Sequence, residues 1–522
     1  MRHFKPFSIS EDIRSAALQI EPQALSIESL SAAFKAGEFT PIEATAACLL
    51  RINAAEPYLN AFIWLNQKVQ QDADRAAAEI KRGGQRSPLH GVPIVLKDNM
   101  NLVGSRTTAG YAGFASDSRV LDPAKGAFNG IDLYPTRDAS LVKSLKDAGA
   151  ILIGKSNLPD FGLDGLRAQS SYNGDTFNAY HPNFAPGASS SGSASAVASG
   201  MGVVGLGTDT AGSILFPASA QSLVGLKPTY ELVATEGIYP GLFNHDVAGP
   251  IARTVKDVAA VLDVIAGQGS KAADISKSLV AGALQGKRIG VFEAGIWAAE
   301  LHPSIRAHYA SILEKVRSMG ASLVQTVFGD TDWRERWISR TAFPQCNAYL
   351  DGVDEFFATL GNGCPASREE FEERAGFPIG LGTTAPLFAL LANPAINVRR
   401  DSKEMSVVLQ DARSLTERYE QIMADKQIDA LLMPRSTQPL PNLNGNTPKY
   451  LGDQVVGTEV NELGLPVVTV PAGYSEDGRP VAIDIVGSKR FAEAEILALA
   501  YDFEQATRFR TPPPEFGSAT FA

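Results

Sequence analysis

Cysteine is scarce in this sequence: Cys48, Cys346 and Cys364 are its only three among 522 residues. They are odd in number, scattered and without metal-ligand spacing, which excludes a disulfide framework and fits a reducing compartment. Histidine is scarce too. The six (His3, His90, His181, His245, His302 and His308) form no H-E-x-x-H pair and no cluster, so no metallohydrolase centre is expected. No run of about 18 apolar residues occurs, and the opening segment MRHFKPFSISEDIRSAALQI has no continuous apolar stretch of signal-peptide type. A cytoplasmic protein that does not enter the membrane is expected. Basic residues are outnumbered, 47 Lys+Arg against 57 Asp+Glu for a net charge of −10, and no Lys/Arg cluster interrupts the excess. Such a chain repels nucleic acid and anionic membrane.

What is present is the material of a folded enzyme. Apolar residues make up 44%, charged residues 20% and aromatics 8%, enough for a large core. Thr40-Pro41-Ile42-Glu43 reads as a capping box opening a helix, and roughly the first seventy residues read as mostly helical. From Leu89 onward, short apolar runs (93–96, 151–153, 203–206, 288–292 and 430–433) alternate with longer helical patterns. Runs with no polar alternate are expected of strands buried on both faces, so the pattern predicts an α/β fold with a sheet beneath helices. Residues 375–398 carry no charge, but Pro378, Pro386 and Pro394 break any membrane-spanning helix. The stretch reads chiefly as buried packing and loops; the sharper reading has Phe377, Leu381, Leu387, Phe388 and Leu391 covering an apolar substrate pocket.

Several familiar patterns fail on inspection. Gly149-Ala-Ile-Leu-Ile-Gly154-Lys155-Ser156 matches the phosphate-loop pattern letter for letter. Its interior is an apolar run suited to a buried strand, and Pro159 discourages the helix that must follow, so no nucleotide is expected. Gly205-Leu-Gly207 lacks the third glycine of a dinucleotide fingerprint, and no serine has glycines at both −2 and +2, so the nucleophile elbow is absent.

The informative region runs from Pro186 to Pro228 and is dense in Gly, Ser and Ala. It reads as a Gly/Ser loop (187–192), a helix of small residues (193–199), a buried strand (203–206) and a second loop ending at Ser213. Glycine allows positive φ and close approach, so successive amides in such a loop can converge on one oxygen as an oxyanion hole. Serine supplies a nucleophile. A base is available in Lys97, at the end of an apolar strand in His90-Gly-Val-Pro-Ile-Val-Leu-Lys97-Asp98-Asn99. Bringing a lysine from pKa about 10.4 to neutrality at pH 7 costs roughly 4.6 kcal/mol. Burial beside apolar residues can supply that shift.

These stretches resemble successive blocks of the amidase signature family: Leu89-His-Gly-Val-Pro-Ile-Val-Leu-Lys97-Asp, Gly154-Lys-Ser-Asn157-Leu, Pro186-Gly-Ala-Ser189-Ser-Ser-Gly-Ser, Gly207-Thr-Asp-Thr-Ala-Gly-Ser213-Ile, Gly225-Leu-Lys-Pro-Thr229 and Ala248-Gly-Pro-Ile-Ala-Arg253-Thr. Leu463 to Gly473 and Asp477 to Ile483 resemble the family's closing strands. The resemblance spans about residues 25–510 and is weakest between about 290 and 425. It implies an α/β fold with a mixed central sheet flanked by helices on both faces, formed by residues 73–515 after an N-terminal helical segment, 1–72.

It also implies a Ser-cisSer-Lys triad: Ser213 as nucleophile, Ser189 as the proton relay, and neutral Lys97 as base. The amides of Thr210, Ala211, Gly212 and Ser213 would hold the oxyanion, with Ser190 and Asp209 in support and no metal or other cofactor. Ala188, Ser191 and Ala211 stand where many relatives carry glycine. Leu215 stands where many place an arginine that pairs with the loop aspartate, so Asp209 needs another partner, backbone amides or Lys155. The function implied is hydrolysis of a small-molecule carboxylic amide to acid plus ammonia or amine, by a free-standing enzyme with a homodimer as one assembly. The alternative is the ammonia-producing component, called A, of a tRNA-dependent amidotransferase, which Leu215 and the divergent middle region disfavour. Aliphatic, aryl, peptide and carbamate amides all stay open as substrates.

Overall fold

The computed structural model describes residues 4–122, 125–166, 169–266, 274–298, 300–340, 346–382, 385–443 and 454–516. Eleven strands build one sheet: β1 (Phe62–Leu65), β2 (Pro93–Lys97), β3 (Ile151–Ser156), β4 (Val204–Asp209), β5 (Val224–Lys227), β6 (Val247–Ala252), β7 (Arg288–Val291), β8 (Ser322–Val324), β9 (Ala430–Pro434), β10 (Val467–Tyr474) and β11 (Pro480–Gly487). Their spatial order is β1-β3-β2-β4-β6-β5-β10-β11-β9-β7-β8. The pairings of β2 with β3 and β4, and of β7 with β8 and β9, are parallel; the others are antiparallel. The sheet is therefore mixed.

Each of the five apolar runs is a strand, and the reason for their uniform apolarity is visible in the packing. On β2, Ile94 and Leu96 join one core with Val142, Leu145, Val258 and Leu262, whereas Val95 joins another with Leu49, Ile52, Ala194 and Val197. Successive side chains point to opposite faces of a strand, so a sheet with helices on both sides needs apolar residues at every position. The helices that supply these layers include α1 (Pro41–Leu59), α2 (Ser191–Ala198), α3 (Leu215–Ala220) and α4 (Val255–Ile265). At the start of α1 the Glu43 carboxylate accepts from the Thr40 amide at 2.6 Å, as the capping-box pattern requires.

The Gly/Ser/Ala region folds as strand and helix pressed together. All eight residues of α2 are buried, and Ser193 donates to the Leu206 carbonyl of β4 at 2.8 Å. Small side chains allow this close seating. At Gly187, φ is +105° and a Cβ would strike Pro217 of α3, so this glycine locks the Ser189 loop onto the helix that follows Ser213. The run Gly149 to Ser156 ends in the buried strand β3, whose backbone pairs with β1 and β2. It forms no phosphate loop. No described helix is long and apolar enough to cross a membrane.

Candidate active site

The parallel pairing of β2 with β4 sets Ile94 opposite Val204 and Val95 opposite Gly205, so both strands end side by side. Lys97, the last residue of β2, thereby meets Thr208 near the end of β4. Lys97 is fully buried. Its Nζ lies 2.7 Å from Ser189 Oγ, 2.8 Å from Thr208 Oγ1 and 3.5 Å from the Thr208 carbonyl. Asn99 Nδ2 donates to the same Thr208 hydroxyl at 3.1 Å, and Asn99 also bonds the Tyr239 carbonyl at 3.3 Å. Desolvation pushes the Lys97 pKa down to about 7, against the opposing pull of Asp209 and Asp246. A neutral amine in this position accepts one hydrogen bond and donates two.

Ser189 and Ser213 open onto one cavity of about 470 Å³, with walls from Phe161, Tyr239, Leu242, Phe243, Phe356 and Leu391. Behind this wall, Phe388 packs on Phe161 and Tyr349, both at 5.6 Å between ring centroids, and Phe377 packs on Phe128 at 5.4 Å. Of the uncharged stretch, then, Leu391 borders the cavity, while Phe377 and Phe388 serve as packing, and Leu381 accepts the Tyr111 hydroxyl on its carbonyl at 2.8 Å. The Leu387 side chain lies outside the described residues.

Asp209 shapes the loop carrying Ser213. Its Oδ1 accepts from the Gly212 amide at 2.7 Å and its Oδ2 from the Ile214 and Leu215 amides at 2.7 and 3.3 Å. Asn461 Nδ2 adds a contact to Oδ1 at 3.1 Å. Of the two partners open to Asp209, backbone amides are the one used. Lys155 has its own partner, Asp98, at 2.7 Å, with both side chains fully buried. The Gly212 amide is therefore committed to Asp209. Of the four amides expected to face an oxyanion, that of Gly212 bonds Asp209, whereas those of Thr210, Ala211 and Ser213 do not. Ser190 hydrogen-bonds both the amide and the carbonyl of Thr208 through its hydroxyl, each at 3.2 Å, and its own amide donates to the Ser213 carbonyl at 3.3 Å. It ties the two serine loops together.

The amidase family model matches residues 43–497, most of the chain. The chain belongs to the amidase family. Among curated proteins it is similar to the glutamyl-tRNA(Gln) amidotransferase component A of Chloroflexus aggregans, at 33% identity over 95% of this chain and 99% of that one. Among solved structures it is similar to a peptide amidase in complex with the competitive inhibitor chymostatin (TM-score 0.79, 31% identity, 95% of this chain, 100% of that one). The native peptide amidase from Stenotrophomonas maltophilia is also similar (TM-score 0.76, 30% identity, 94% of this chain, 99% of that one).

Within this amidase fold, several neighbours of the site carry no signal of their role in the sequence. Thr208 lies inside a family-like block and Asn99 directly follows one, but only the parallel register reveals that Thr208 meets Lys97 and that Asn99 holds the Thr208 hydroxyl. Asp246, which accepts from Thr210 Oγ1 at 2.6 Å and from the Gly241 and Leu242 amides at 2.5 and 2.9 Å, sits in a turn with no local signal. Among the described residues no group of three His, Cys, Asp or Glu side chains is arranged to hold a metal.

The Asp98–Lys155 pair lies directly behind this site. Asp98 also accepts from the amide and hydroxyl of Thr108, and Lys155 donates to the Arg106 carbonyl at 2.8 Å. Removing one partner of a buried pair strands the other charge, at a cost of about 3–5 kcal/mol. Lys155→Met is accordingly expected to lower the urea midpoint strongly, and Lys155→Met combined with Asp98→Asn to recover part of the loss. An unchanged midpoint in the single variant would contradict the pairing.

Proposed function

We propose that this protein hydrolyses carboxylic amides through a seryl acyl-enzyme. The observation that carries the reading is the 2.7 Å contact between buried Lys97 and Ser189, beside Ser213 in one cavity. Ser213 Oγ attacks the amide carbonyl while its proton passes to Ser189 and the Ser189 proton passes to neutral Lys97. The amides of Thr210, Ala211 and Ser213 hold the negative oxygen of the tetrahedral intermediate. On collapse the C–N bond breaks and the leaving nitrogen takes the proton back from Lys97 through Ser189. Water then attacks the ester by the same relay, releasing acid and restoring Ser213.

Two substrate readings share this chemistry. The names of the curated relatives favour the ammonia-producing component of an amidotransferase, working on glutamine within a complex. The peptide amidase structures support a free-standing amidase. One feature of the cavity bears on glutamine, whose α-carboxylate needs a cation. Among the described lining residues the one cation is Arg400, whose Nη1 donates to both Glu355 oxygens at 2.6 and 2.8 Å. Ammonia release by the purified chain from glutamine, peptide amides and aryl amides separates the readings, with gel filtration reporting the assembly. Turnover of glutamine alone assigns the amidotransferase role, and turnover of peptide or aryl amides without glutaminase activity assigns the free-standing amidase. No release from any amide by a fresh, folded preparation would overturn the proposal.

A further inference from the structure

The peptide unit joining Ala211 to Gly212 is held at both ends. On one side the Gly212 N–H donates to Asp209 Oδ1 at 2.7 Å; on the other the Ala211 carbonyl accepts from Gln454 Nε2 at 3.2 Å. In a trans peptide these two groups point in opposite directions, so two such bonds fix the rotation of the whole plane. That rotation sets the directions of the flanking amides, Ala211 N–H and Ser213 N–H. Gly212 has φ +98°, and a Cβ there would run into the Gln454 side chain, so loop and glutamine are fitted closely.

Gln454 is itself oriented from the sheet. Its Oε1 accepts from Arg435 Nη2 at 2.8 Å, and Arg435 also donates to the Val456 carbonyl. Arginine can only donate, which assigns the oxygen of the glutamine amide to Arg435 and its NH2 to the loop. Arg435 Nη1 in turn pairs with Asp484 at 2.7 Å, and Asp484 accepts from Thr469. Asp484 on β11 lies opposite Thr469 on β10 and Met433 on β9, and Arg435 follows β9 directly. Gln454, Arg435, Asp484 and Thr469 are all buried. A chain of hydrogen bonds and one ion pair thus runs from β10 and β11 through Arg435 to one carbonyl of the nucleophile loop.

We propose that Gln454 is a positioning residue for the reaction: it sets the Ala211–Gly212 peptide plane so that the flanking amides face the developing oxyanion, and Arg435 acts through it. The inference rests on the reading of 210–213 as the oxyanion loop. It predicts a defect in the chemical step and not in binding, because none of Gln454, Arg435, Asp484 and Thr469 borders the active-site cavity.

Gln454→Met and Gln454→Glu test it together. Glutamate keeps an acceptor for Arg435, and with it the core network, but presents an oxygen where the Ala211 carbonyl needs a donor. Both variants are expected to lose about 10- to 100-fold in kcat, with KM changed less than about threefold, and to react more slowly with a fluorophosphonate at Ser213. Thermal unfolding of Gln454→Glu should stay close to wild type. Wild-type kcat in Gln454→Glu would overturn the proposal, since a purely structural role survives that change. So would parallel changes in kcat and KM, or a kcat loss only in a variant that has also lost its fold. Failure of the underlying reading looks different: the wild-type protein itself would not be labelled at Ser213.

Discussion

Ser213→Ala is expected to lower kcat by about 10⁴-fold or more, or at least about 5.4 kcal/mol of transition-state stabilisation. The residue has three attributes of a nucleophile. It opens onto the cavity, it ends the loop whose Thr210 and Ala211 amides are not claimed by Asp209, and its carbonyl is tied to Ser190 at 3.3 Å. What survives its removal is the contribution of binding and of the oxyanion donors, which is small without a nucleophile. A fluorophosphonate should attach to Ser213 in the wild-type chain, and mass spectrometry of the Ser213→Ala variant should find no adduct. Ser189→Ala should still be labelled at Ser213, more slowly, because the relay to Lys97 is broken while the attacking oxygen is present. An adduct on Ser189 with Ser213 unmodified would reverse the two roles.

The parts of this molecule legible in its sequence are those whose physics is local. Strands β2, β3, β4, β7 and β9 announce themselves as apolar runs because both faces of the sheet are covered. The Ser189 and Ser213 loops announce themselves through composition, since a backbone that must approach closely needs Gly, Ser and Ala. Strands β5 and β6 are hidden within family-like blocks, where Gly225, Gly249 and Pro250 mask the apolar pattern. The edge strand β1 lies in the stretch that reads as helical.

Partnerships set by tertiary register are not legible at all. Asp98 and Lys155 meet because β2 and β3 run parallel, Asn461 reaches Asp209 across 252 positions, and Gln454 reaches Ala211 across 243. No pattern along the chain encodes such meetings. Leu215 gives a related lesson. Its place in the pattern argues against an amidotransferase, yet curated relatives carrying that name match the chain over nearly its full length. The buried leucine is accommodated because backbone amides and Asn461 satisfy Asp209, so one substitution at the start of α3 carries little weight for substrate choice.

Lys97 carries the second large effect, and its sign follows from burial. A base must be neutral to accept the Ser189 proton, and desolvation brings its pKa down to about 7. Below that pH the amine is protonated and the relay is blocked, so kcat/KM should rise with pH along a limb centred near 7 and level off above it. The same shift acts on stability with a definite direction. Between the folded value near 7 and the ordinary lysine value the unfolded chain holds the extra proton, so this residue's contribution to stability rises with pH across that window. Lys97→Met removes the titration. It should therefore unfold at a higher temperature than wild type at about pH 6, by a margin that shrinks toward about pH 10, while losing essentially all turnover. Lys97→Arg keeps a cation but supplies a group that stays protonated throughout, so it should be nearly as inactive as Lys97→Met. A lysine that merely filled a polar gap between Ser189 and Thr208 would tolerate arginine far better. Retention of more than about a tenth of wild-type kcat/KM in Lys97→Arg, a loss below roughly 1.4 kcal/mol, would remove Lys97 from the proton path and leave Ser189 without a base.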